Sequence, residues 1–126
     1  MRSWHELIVI AALVAACGND VGIPEGGDDA PPIDPDACET SFLDYNNFGA
    51  PFVVNWCRGC HSSAVPAGMR QDAPADVNFD DAADLVEWRE RIRTRATGTK
   101  PTMPPAGGPT ETERELLAEW LDCGMK

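Results

Sequence analysis

Trp56-Cys57-Arg58-Gly59-Cys60-His61 is the stretch from which the rest of the sequence is best read. Two thiols separated by two residues and followed directly by an imidazole make Cys-x-x-Cys-His, the spacing of a covalent c-type haem attachment site. Each thiol can add across one haem vinyl group, and the histidine is then carried beneath the iron as its proximal ligand. Two other chemistries use the same atoms. A thioredoxin-like dithiol wants its Cys-x-x-Cys at the start of a helix between strands, and the flanking sequence has no strand pattern. A tetrahedral zinc site needs a fourth ligand. Cys38 or Cys123 would have to supply it, because the only other histidine, His5, lies in the amino-terminal segment.

Upstream, residues 1–16 carry Arg2 and then the apolar run Leu7 to Ala16. Ten apolar residues fall well short of the roughly 20 that a membrane-spanning helix needs, so the segment reads as a removable export signal. Val14-Ala15-Ala16-Cys17 resembles the lipobox of bacterial lipoprotein signals. That resemblance implies cleavage before Cys17 and acylation of its sulfur and new amino group, which would anchor the chain to a membrane. General secretory cleavage after Ala16 is the alternative, and both readings place the chain outside the cytoplasm. Residues 18–37 hold six acidic residues, four prolines and no Lys or Arg. Such a composition cannot offset ordering entropy, so residues 17–37 are expected to be a disordered acidic tether and residues 38–126 the folded domain.

The whole chain has 126 residues, with 10 Lys+Arg against 21 Asp+Glu and a formal charge of -11. That length allows one small domain, and that charge argues against nucleic acid as a partner, since phosphates require clustered cations. A redox partner with a basic docking patch suits it better.

With His61 the remaining histidine after export, a second axial ligand has to come from a thioether. Met69 is only eight residues beyond His61, and Met125 is next to the carboxyl terminus. Met103 lies in Thr102-Met103-Pro104-Pro105, a loop stiffened by prolines that can hold a sulfur at little further entropy cost. A Met/His pair is the arrangement used by cytochromes c. Helices are expected over 51–57, over 81–96 with Leu85, Trp88 and Ile92 on one face, and over 110–123 with a Thr110/Glu113 capping box and a Leu117, Trp120, Leu121 stripe. Arg89, Arg91, Arg93 and Arg95 read mainly as a solvated row paired as Glu87–Arg91 and Glu90–Arg93, with haem propionates or a docking partner as the other reading.

Cys57, Cys60 and His61, the downstream Met103-Pro104 and the closing Glu115-Leu116-Leu117-Ala118-Glu119-Trp120-Leu121 together resemble a small monohaem cytochrome c domain carried on a bacterial lipoprotein. The resemblance implies an all-α fold of a few helices and long loops wrapped around one haem c, with the first and last helices crossing. It also implies electron transfer in place of catalysis, with His61 and Met103 as axial ligands. Pro51 departs from the pattern by falling within the expected first helix. Trp56 and Arg70 are candidate haem contacts, the latter through a propionate. Cys38 and Cys123 bracket the domain near that crossing and are expected to form a disulfide, which an exported protein permits. A haem sensor with a displaceable methionine and a zinc-stapled interaction module are the alternatives, and a peroxidase-like enzyme lacks a distal histidine.

Overall fold

Helices start where short polar side chains take up otherwise unpaired amides. In the computed structural model, which describes residues 33–126, the longest helix opens on such a cap. Thr110 Oγ1 accepts from the Glu113 amide, and the Glu113 carboxylate accepts from the Thr110 amide at 2.7 Å. Helix α5 (Glu111–Asp122) follows from it. Asp81 and Asp84 build the same box ahead of α3 (Ala82–Glu87). Asp44 and Asn47 build it ahead of a wide, π-type helical turn at Tyr45–Gly49. That turn leads straight into α2 (Ala50–Trp56), where Pro51 sits in the first turn and its missing N–H costs nothing. The chain thus accommodates the proline by widening the turn before it. Helix α1 (Pro35–Thr40) precedes these elements and α4 (Arg89–Ala96) lies between α3 and α5. The described residues contain no strand, so the fold class is all-α.

Two expectations change. The helix expected over 81–96 is broken at Trp88 (φ −94°, ψ 6°), whose amide turns back to the carbonyls of Asp84 and Val86. The i,i+4 geometry between Glu87 and Arg91 is lost across that break, and their expected ion pair does not form. Glu90 lies against Arg89 instead, and Arg93 forks the Asp122 carboxylate with two bonds of 3.0 Å. The folded part also begins earlier than residue 38: Asp34 accepts the Asp36 amide and Pro35 opens α1, so local capping orders residues that composition assigns to the tether. Residues 1–32, with the segment expected to be an export signal, Cys17 and most of the expected tether, lie outside the described residues.

The core brings Leu43, Phe52, Val53, Phe79, Leu85 and Ile92 onto the inward stripe Leu117, Trp120 and Leu121 of α5. The Phe48 ring meets Trp120 edge-on at 6.3 Å between centroids, and the Gly49 backbone lies directly against the same indole. Cys38 and Cys123 are disulfide-bonded, with Cα atoms 5.1 Å apart, and tie α1 to the end of α5.

Candidate functional site

The Cys-x-x-Cys-His segment is a turn wound around one carbonyl. Cys57 terminates α2 with its amide on Val53 O, and its own carbonyl accepts from the amides of both Cys60 (3.1 Å) and His61 (2.9 Å). That local ladder brings both thiols and the imidazole to the wall of one cavity, in which Cys57 and Cys60 are free and half-buried. His61 Nδ1 lies 3.1 Å from Val77 O. A carbonyl can only accept, so Nδ1 carries the hydrogen and Nε2 keeps its lone pair. The ring stacks on Phe79 at 4.8 Å, and the Phe79 amide donates to the His61 carbonyl at 2.9 Å. Burial lowers the imidazole pKa, which favours the neutral, ligating form. Burial also pushes the Cys57 thiol up to about 12, with the Arg114 charge working in the other direction. At neutral pH this sulfur therefore keeps its proton.

The cavity measures about 480 Å³, within the range of small-molecule and cofactor sites. Phe52, Trp56, Val77, Phe79, Trp88, Ile92 and Ala96 make its walls apolar, and Met103, Pro104 and Pro105 contribute the loop side. Met103 is the one methionine on this wall. Met69 is 68% exposed, and Met125 packs against the core. The Met103 segment is tied down along its backbone. Arg95 O accepts from the amides of Thr102 (2.8 Å) and Met103 (2.9 Å), Arg95 Nε donates to Thr102 Oγ1 at 2.5 Å, and Arg114 Nη1 donates to Met103 O at 2.8 Å.

Trp56 lines the cavity and lies across Gly108, where an added Cβ would come within 2.7 Å of the indole. Arg70 has a different role from the one expected. It is 4% exposed and does not line the cavity. Its guanidinium donates to the carbonyls of Ser62 (2.5 Å), Pro74 (2.7 Å) and Val77 (3.0 Å) and to Asn78 Oδ1 (2.9 Å). It holds the 62–78 loop together and shares the Val77 carbonyl with His61, which leaves it unavailable to a propionate. The charged residues that do line the cavity are Arg91 and Arg95. Their i,i+4 spacing on α4, beside Trp88 and Ile92, is the signal that separates them from Arg93 in the row of arginines.

Among the described residues no three His, Cys, Asp or Glu side chains are grouped to hold a metal ion. The disulfide removes both thiols that a zinc site would have drawn on. The donor set around the cavity does suit a haem c. Two protonable thiols, an imidazole with a free Nε2 and a thioether share an apolar cavity whose two cationic side chains match a flat apolar ring bearing two carboxylates. Compared with known protein families, curated proteins and solved structures, the chain gives no match.

Proposed function

We propose that the folded domain is a monohaem c-type electron carrier, exported and held at a bacterial membrane by a lipid on Cys17. The observation that supports this reading is the single cavity shared by Cys57, Cys60, His61 and Met103. A haem bound there supplies a one-electron couple. Cys57 and Cys60 would hold it covalently through thioether links to its two vinyl groups. His61 Nε2 and Met103 Sδ hold the iron. The Val77 carbonyl keeps the His61 proton on Nδ1 and fixes the ring plane, leaving Nε2 oriented as a ligand. Arg91 and Arg95 take the propionates, and the apolar walls exclude water. The backbone bonds on both sides of Met103 keep it in place whichever charge the site carries, so electron transfer demands little reorganisation. Those bonds favour a carrier over a sensor, which needs a methionine that comes off easily. Lipidation leaves the domain free to search for redox partners above the membrane surface.

The test is the absorption spectrum of the full chain made in a host with haem-attachment machinery. A pyridine haemochrome of the two-thioether type is expected, and a colourless product after export overturns the reading. Met103→Ala is expected to abolish the weak iron–sulfur charge-transfer band of the ferric protein and to admit carbon monoxide to the ferrous form. For the anchor, mass spectrometry of the amino-terminal peptide is expected to find acylated Cys17, and an unmodified thiol there removes the lipid.

A further inference from the structure

Arg114 is the buried cation of α5. It is 9% exposed, and among the described residues no carboxylate lies within ion-pair distance of it. Its donors go instead to three backbone carbonyls: Nη1 to Ala96 O (2.7 Å) and Met103 O (2.8 Å), and Nε to Pro109 O (3.3 Å). These belong to the end of α4, to the cavity loop and to the residue ahead of the α5 cap. A guanidinium withdrawn from water whose hydrogen bonds all go to carbonyls is costly to keep even with the Glu113 carboxylate attracting its charge, and an apolar side chain would fill the same space without that desolvation. Its fork geometry, however, spans three separate backbone segments in a way a single point donor does not.

We propose that Arg114 is the positioning residue that holds Met103 as an iron ligand, and that its charge raises the reduction potential of the site. The proposal rests on the haem reading above. Met103 is pinned at its amide by Arg95 O and at its carbonyl by Arg114, so its side chain is the part left free to reach into the cavity. Arg114 also opposes the burial that raises the Cys57 thiol, so its charge lies near one of the two attachment points as well as near the loop. A ferric haem carries one more positive charge than a ferrous one. A fixed cation in low dielectric disfavours the ferric form and moves the potential upward.

Arg114→Gln and Arg114→Lys in the haem-loaded full chain separate geometry from charge. In Arg114→Gln the iron–sulfur band is expected to disappear at a pH at least one unit below that of the unaltered protein, carbon monoxide to bind the ferrous form at neutral pH, and the potential to fall. Arg114→Lys keeps the charge without the fork, so its potential is expected to stay near that of the unaltered protein while the band still fades early. If both variants keep the band, exclude carbon monoxide and match the original potential, the proposal is overturned. Should either variant fail to fold, NMR of the unaltered protein decides. Arg114 guanidinium protons are expected to exchange with water at least tenfold more slowly than those of Arg89, whose side chain is 36% exposed, and equal rates overturn the clamp. Met103→Ala serves as the control: a band that survives it shows that the ligand assignment has failed, whereas a band lost in Met103→Ala but unaffected in both Arg114 variants counts against Arg114 alone.

Discussion

Gly49→Ala sets a helix preference against a packing clash, and the structure says which prevails. Gly49 has φ −58° and ψ −56°, ordinary right-handed helical values. An alanine there meets no backbone strain and gains roughly 1 kcal/mol of helix propensity. Its Cβ, however, would lie 2.5 Å from Trp120 Cη2, 2.8 Å from Cε2 and closer still to Cζ2. The indole cannot retreat, because Trp120 is 2% exposed and flanked on α5 by Leu117 at 1% and Leu121 at 0%. Overpacking a close-packed core costs about 1–3 kcal/mol, and this overlap with a rigid ring belongs at the upper end. The net effect is a loss of about 1–2 kcal/mol, or roughly 5–15 °C in Tm for a domain of this size. Urea unfolding of the oxidised protein measures it. Trp120→Phe provides the second arm of a double-mutant cycle. It removes the clashing part of the indole and forfeits no hydrogen bond, since Nε1 has no partner among the described residues. In that background Gly49→Ala is expected to be close to neutral, giving a coupling of about 1–2 kcal/mol. A Gly49→Ala protein as stable as the original would refute the close approach of this helical turn to α5.

The other predictions concern the ties that surround the site. Hydrogen bonds from Ser62 and Ser63 hold the Asp80 carboxyl down at about 2. Its contribution to stability is therefore complete above about pH 4 and is lost as pH falls towards 2. Asp80→Asn should flatten the stability profile in that window, and an unchanged acid limb would contradict the bonds. Replacing Cys38 and Cys123 together by Ser opens a closure across 85 residues and is expected to cost up to about 4–5 kcal/mol. An unmoved urea midpoint would show that the closure does not limit the unfolded chain. Arg93→Met removes the forked pair with Asp122, in which the side chains are 15% and 24% exposed. A loss of about 2 kcal/mol is expected, and a loss below about 0.5 kcal/mol would show the pair to be no better than a surface ion pair.

The parts legible in the sequence are those governed by neighbours along the chain. The Thr110/Glu113 box, the α5 stripe and the turn around Cys57 each depend on residues three or four apart, and each forms. Where competition was tertiary, the reading failed. Arg70 looked like a free cation in a loop, but a polar loop of some sixteen residues leaves carbonyls that need donors, and its guanidinium answers four polar oxygens within 3.0 Å. The row of arginines divides between two faces of a helix, and the sequence offers for both only solvation and the local pairs Glu87–Arg91 and Glu90–Arg93. The break at Trp88 instead sends Arg91 and Arg95 to the cavity and leaves Arg93 with Asp122.

By itself the sequence determined the helical class, the Thr110/Glu113 cap and the local constellation Cys57, Cys60 and His61, since these follow from covalent spacing and short-range hydrogen bonding. Only the tertiary structure decided which methionine shares the cavity with them, which cations line it and which buried arginines hold its loops. Those contacts join residues from positions 52 to 114, and no periodicity along a chain records which distant segments will meet when the apolar faces are buried together.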